Sequence, residues 1–187
     1  NLIYNIQVEL KNFSNQFPDI KIIDFSSFND ARGEFLKIYE SKKLNEHISK
    51  IDEFYFSTSK KNVIRGIHYQ KHPHVLTKLV FCKSGEILDF FIDLRKDSST
   101  YGEFGSMYLS EKNKQAILIP YGFGHGFASL KENTTILYLQ EGIYNPEYEY
   151  GINPFSFDFQ WGIDEPIVSK KDLELPNFST NDERFVI

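Results

Sequence analysis

The 187-residue chain carries 21 Lys and Arg against 26 Asp and Glu, a formal net charge of −5, which excludes a general nucleic-acid binder built on a basic stripe. No run approaches the roughly 18 apolar residues of a membrane span, and the single cysteine, Cys82, excludes a disulfide framework or a thiolate metal cluster. Aromatic residues make up 16% of the chain, including 18 Phe and 11 Tyr, a bias toward strands and ligand-stacking surfaces.

Taken in chain order, residues 1–17 read as an arm or a short leading strand, and residues 20–25 (IKIIDF) as a β-branched strand. Residues 26–33 are turn-rich, and 34–39 (EFLKIY) read as the returning strand. Residues 40–52 hold the best helical pattern in the chain, short and charged. Strand patterns then dominate. Residues 78–83 and 86–95 flank Ser84-Gly85 as a hairpin signature. Residues 106–109 and 115–119 are shorter strands, 120–126 a Gly-rich corner, and 127–130 and 134–140 close the series. From Tyr144 onward the chain is loop-rich, with Pro146, Pro154, Pro166 and Pro176, and reads as a wrap around the core. Short strands at this spacing predict an all-β sandwich or barrel with a few short peripheral helices. No repeat, linker or low-complexity segment interrupts it, so residues 1–187 are expected to form a single domain. The lone cysteine and the absence of a signal-peptide pattern point to the cytoplasm.

Among the five histidines, His72 and His74 have the spacing that puts two side chains on one strand face. Pro73 separates them, however, and Val75, Leu76, Thr77 and Lys78 follow where a metal site would need a carboxylate. No metal is expected, because an inward-facing Lys78 would repel a divalent cation. A different constellation fits better. Arg65 and His68 sit three positions apart in RGIHYQ, Lys78 opens the strand KLVFC, Asp89 follows in the next strand, and His125 lies in GFGHGF. In TILYLQ, Ile136, Tyr138 and Gln140 share one face by the period of two. Taken singly, each histidine reads as a satisfied core residue, Tyr138 as packing with a wet hydroxyl and Lys78 as an edge charge. A barrel interior holding all of them is costly to build for stability alone, because every buried polar group needs a partner.

Together these residues resemble the dTDP-4-dehydrorhamnose 3,5-epimerase family. The matched blocks are DARGEF (30–35), RGIHYQ (65–70), KLVFCKSGEILDFFIDLR (78–95), LIPYGFGHGF (118–127), ILYLQEGIYNPEYEYG (136–151) and SKKD (169–172). The resemblance implies a cupin jelly-roll barrel, typically a homodimer, that uses no metal and no other cofactor. It implies C3 and/or C5 epimerisation of a nucleotide-diphosphate 4-keto sugar, in the service of surface polysaccharide synthesis. His68 matches the general base, Asp172 the carboxylate orienting it, and Tyr138 the general acid. Lys78 and His125 match residues around the keto oxygen. Arg65 and Arg32 match diphosphate contacts, and Glu149, Lys171, Asp89, Tyr144 and Ser57 further substrate-binding positions.

The chain departs from the family where the nucleotide is held: a block that usually reads QDNxSxS is here EFYFSTS (53–59), and Lys37 replaces a usual glutamate. That change suggests a nucleotide other than dTDP, with GDP first, and a 4-keto heptose or 6-deoxyhexose as the sugar. Competing readings are a nucleotide-sugar 3,4-ketoisomerase, a non-catalytic sugar-binding cupin and a metal-dependent cupin oxygenase.

Overall fold

The computed structural model describes residues 8–187, so residues 1–7 of the leading arm lie outside the described residues. Two facing β-sheets form its frame. One runs in the order β1 (Val8–Asn12), β2 (Lys21–Phe25), β10 (Gln115–Ile119), β7 (Thr77–Ser84), β12 (Thr134–Glu141) and β5 (Glu53–Ser59). The other runs β13 (Glu149–Gly151), β6 (Val63–Gln70), β11 (Phe123–Ser129), β8 (Glu86–Asp93) and β9 (Phe104–Ser110), with β14 (Ile167–Val168) added parallel to β6. From β5 to β8 and again from β9 to β13, consecutive strands pass from sheet to sheet, the arrangement of a jelly roll.

Side-chain alternation explains why three apolar layers result. Val80 and Cys82 of β7 point between the sheets and meet Ile87 and Phe91 of β8, with Ile117, Phe127 and Ile136. Leu79 and Phe81 of β7 point the other way, onto Ile23, Phe25, Leu44 and Ile48. Leu88, Phe90 and Ile92 of β8 likewise face outward, where the tail lays Trp161 and Phe185 over them. The loop-rich tail thus wraps the second sheet, as its sequence suggests. No helix among the described residues is long and apolar enough to cross a membrane.

Several local expectations are corrected. Ser84-Gly85 does not close a hairpin: β7 pairs with β10 and β12, while β8 pairs with β11 and β9. Gly85 does make a sharp turn, with φ at +81°, but both strands are apolar on both faces, so each needs cover on two sides and they part into different sheets. The supposed corner 120–126 is cut short, because β11 is one continuous buried strand from Phe123 to Ser129. The turn-rich stretch carries β3 (Ser27–Asp30), which pairs with β4 (Gly33–Leu36) as a separate two-stranded sheet. The helical pattern over 40–52 yields only the single turn α1 (Ser41–Leu44). Glu40 supplies no side-chain cap there, and one uncapped turn nucleates poorly.

Where β6 crosses β11, the register shifts between His125 and Phe127. Glycines permit the approach: a Cβ on Gly66 would lie 2.6 Å from the His125 carbonyl oxygen and 2.7 Å from the Gly126 Cα, and Gly66 has φ at +107°. Gly66→Ala is therefore expected to cost at least about 1–3 kcal/mol in backbone strain before any clash is counted. Urea unfolding checks this, and a change within about 0.5 kcal/mol, the range of an ordinary surface substitution, would contradict it.

Candidate active site

The two sheets enclose a cavity of about 1120 Å³ at one end of the barrel. Its walls come from specific ladder positions. On the second sheet His68 of β6 stands directly opposite His125 of β11, so two imidazoles neighbour each other on one wall. On the first sheet Lys78 of β7 stands opposite Gln140 of β12, and Tyr138 lies two residues back along β12 on the same face. All five line the cavity.

Each imidazole is backed by a carboxylate. His68 Nε2 is 2.7 Å from Asp172 Oδ1, on the short helix α2 (Lys170–Leu173). The Ser169 side chain caps that helix by accepting from the Asp172 N–H, and the Gly66 N–H donates to the other Asp172 oxygen at 3.3 Å. Burial works to raise the Asp172 carboxyl, but the hydrogen bonds and charge of His68, with those of Gly66 and Ser169, hold it below its ordinary value. An ionised carboxylate only accepts. In the neutral form of the imidazole, Asp172 accepts the Nε2–H and the ring lone pair is left on Nδ1. His125 Nε2 lies 2.7 Å from Asp89 Oδ2, and Asp89 is fully buried behind it. Burial pushes the Asp89 carboxyl up, partly opposed by His125.

The facing wall is arranged for charge and proton donation. Burial lowers the Lys78 ammonium, with Glu149 and Glu53 opposing the shift. Burial raises the Tyr138 phenol, offset in part by the Ser57 hydroxyl, so Tyr138 stays protonated at neutral pH. The mouth is polar: Tyr144 Oη donates to Glu149 Oε2 at 3.1 Å, and Lys171 pairs with the same oxygen. Arg65 stands exposed at the rim, its Nε donating to Ser59 Oγ at 3.0 Å. Among the described residues no group of His, Cys, Asp or Glu is disposed to hold a metal ion.

A model of the family described as dTDP-4-dehydrorhamnose 3,5-epimerase matches residues 14–180. The chain belongs to the dTDP-4-dehydrorhamnose 3,5-epimerase family. It is 35% identical over 168 residues to the dTDP-4-dehydrorhamnose 3,5-epimerase of Shigella flexneri, covering 87% of this chain and 93% of that one. It is 32% identical over 150 residues to a dTDP-4-dehydrorhamnose 3-epimerase of Streptomyces niveus, covering 78% and 72%. Among solved structures, the Legionella pneumophila dTDP-6-deoxy-D-glucose-3,5-epimerase in complex with dTDP-4-keto-L-rhamnose superposes with a TM-score of 0.88. That enzyme is 30% identical, with 96% of this chain and 97% of that chain covered. The cupin-like jelly roll and the isomerase class follow from membership: this chain is a nucleotide-sugar epimerase.

Of the residues singled out in the sequence, this epimerase brings His68, Lys78, His125, Tyr138, Asp172, Arg65, Ser57, Tyr144, Glu149 and Lys171 to one cavity. Two stand elsewhere. Asp89 lies behind His125 and is not itself on the cavity wall, so it can reach a ligand only through that imidazole. Arg32 sits on the exposed β3–β4 turn beside Asp30, outside the cavity. Sequence reasoning missed Glu53 and Tyr55 on β5, which line the same wall as Tyr138. The run of three aromatics in EFYFSTS was the available signal for a strand, and the period of two puts Glu53, Tyr55 and Ser57 on one face.

Proposed function

We propose that this epimerase inverts C3, C5 or both in a dTDP-linked 4-keto-6-deoxy sugar, with His68 as base and Tyr138 as acid. The observation that carries the reading is that His68 and Tyr138 line one cavity from facing sheets, with Lys78 on the same wall as Tyr138. His68 Nδ1 removes the proton from the carbon beside the ketone. The C–H electron pair moves into a C=C bond, the carbonyl pair moves onto oxygen, and the Lys78 ammonium stabilises the resulting enolate. The Tyr138 hydroxyl then protonates the same carbon from the other side, which inverts it; the phenolate regains a proton from solvent and the His68 imidazolium releases the one it took. The ketone stays at C4 throughout. Relatives that act on dTDP sugars favour dTDP over the GDP suggested by the altered 53–59 block.

Incubating the protein with a dTDP-4-keto-6-deoxy sugar in deuterated water, with the GDP analogue in parallel, tests this. Deuterium at an inverted carbon with the carbonyl still at C4 supports it, whereas a migrated carbonyl would mark a ketoisomerase. Tyr138→Phe is expected to impair inversion more than the initial exchange, by about 10²–10⁴-fold for a lost general acid. Equal loss of both would contradict its role.

The pH profile gives a separate check. Lys78 binds its proton less tightly folded than unfolded, so its contribution to stability rises with pH between its lowered folded value and the ordinary 10.5. Activity has the opposite dependence, because the cation is lost over that same window. The alkaline limb of kcat is therefore expected below pH 10.5 without accompanying unfolding. A limb that tracks thermal unfolding would remove Lys78 as its cause.

The same reading places a homodimer across the edge strand β5, where Phe54 and Phe56 are 61% and 67% exposed, and the β3–β4 hairpin, where Phe35 is also exposed. A second copy covers these rings and brings the Arg32 turn toward a neighbouring cavity. It also places the enzyme in the cytoplasm, where it supplies precursors for surface polysaccharide.

A further inference from the structure

The Tyr138 ring is itself covered by another ring. Tyr55 stands directly opposite it in the β5–β12 ladder, and the two rings lie nearly parallel, 4.7 Å between centroids and 17° between planes. Tyr55 takes the outer position, 37% exposed against 7% for Tyr138. It is also fixed at its far end. Its hydroxyl donates to Gln140 Oε1 at 2.9 Å, and Gln140 Nε2 donates to Glu53 Oε2 at 2.7 Å and to the Gly142 carbonyl at 3.1 Å. The Gln140 amide is thus oriented by two acceptors, which leaves its oxygen to receive the Tyr55 hydroxyl.

Such a clamp has a chemical consequence. The second torsion of a tyrosine is soft; turning about it leaves the hydroxyl oxygen on the rotation axis but swings the O–H bond, which conjugation holds in the plane of the ring. A parallel ring on one face holds that plane, and so the direction in which the O–H points, and offset stacking adds about 0.5–1.5 kcal/mol to the preference. We propose that Tyr55 is a positioning residue for the Tyr138 proton donor, setting the ring plane and thereby which sugar carbon is protonated on the inverting face. The inference rests on the reading of Tyr138 as the acid. It uses a residue at which this chain departs from the family pattern, since that block ordinarily carries a carboxamide there, so it concerns the specificity of this chain.

The test compares wild type, Tyr55→Phe, Tyr55→Ala and Tyr138→Phe with the dTDP-4-keto-6-deoxy sugar in deuterated water. Proton NMR follows deuterium exchange and inversion separately at C3 and C5. Since a misplacement of about 1 Å can cost about a hundredfold, Tyr55→Ala is expected to keep exchange within about twofold while inversion falls roughly tenfold or more. The loss should be unequal between C3 and C5. Tyr55→Phe keeps the stack and loses only the Gln140 bond, so its ratio of inversion to exchange should lie between those of Tyr55→Ala and wild type. Thermal unfolding of each variant confirms that the barrel is intact.

A Tyr55→Ala protein with the wild-type ratio, beside a Tyr138→Phe protein with a shifted one, overturns this inference and spares the assignment of Tyr138. Parallel loss of exchange and inversion in Tyr55→Ala also overturns it, because a merely structural role would lower both together. A Tyr138→Phe protein with an unchanged ratio removes the acid assignment, and the role of Tyr55 goes with it.

Discussion

Replacing His68 by Asn is expected to lower kcat by about 10²–10⁴-fold, the usual worth of a positioned general base, while the barrel stays folded. The Asn amide overlays the imidazole Nδ1 and falls short of Asp172, so His68→Gln, whose amide reaches the Nε2 position and can still donate to Asp172, is made beside it. That carboxylate sits with its side chain 6% exposed, and stranding it would cost stability for reasons unrelated to catalysis. The His68 side chain is 29% exposed, so little apolar burial is lost. Each variant should also lose deuterium exchange at the carbon beside the ketone, because proton removal precedes everything else. Exchange at the wild-type rate would remove His68 as the base, whatever happened to product formation. Near-normal unfolding alongside lost exchange separates a chemical role from a scaffolding one.

The sequence made the second sheet's contribution to the site more legible than the first's. RGIHYQ and GFGHGF name His68 and His125, but only the β6–β11 pairing shows that they are ladder partners. Sequence spacing cannot reveal that, because His68 and His125 stand 57 positions apart along the chain. The hairpin expected at Ser84-Gly85 fails for a related reason. Turn chemistry specifies a reversal of direction, yet a strand buried on both faces, as β8 is, can be satisfied in either sheet, and the partner is chosen by the whole barrel. Asp172 was legible only through resemblance, since it arrives on a one-turn helix more than a hundred positions after His68. Tyr55 and Glu53 were hidden by the opposite problem. Their block had diverged, so resemblance pointed away from them, and the register of β5 against β12 alone shows them beside Tyr138 and Gln140.

Lys78→Met is expected to separate catalysis from stability more sharply than any other single change in this cavity. Loss of one donor aimed at a developing oxyanion costs about 2.7–4 kcal/mol, roughly 10²–10³ in kcat, so exchange and inversion should fall together. Stability should move the other way or hold. Burial disfavours the ammonium at this position, and a methionine of similar length fills the space without a charge to desolvate. Thermal unfolding at neutral pH should therefore match or exceed wild type while turnover is almost gone. The alkaline limb of the pH profile should vanish from the residual activity, because the group that titrates there has been removed. Retained turnover with a weakened fold would mean that Lys78 is a structural cation paired with Glu53 and Glu149, and the enolate would need another stabiliser, for which His125 on the facing wall is a candidate. Parallel loss of exchange and inversion also distinguishes this residue from Tyr138, whose removal acts after the enolate has formed.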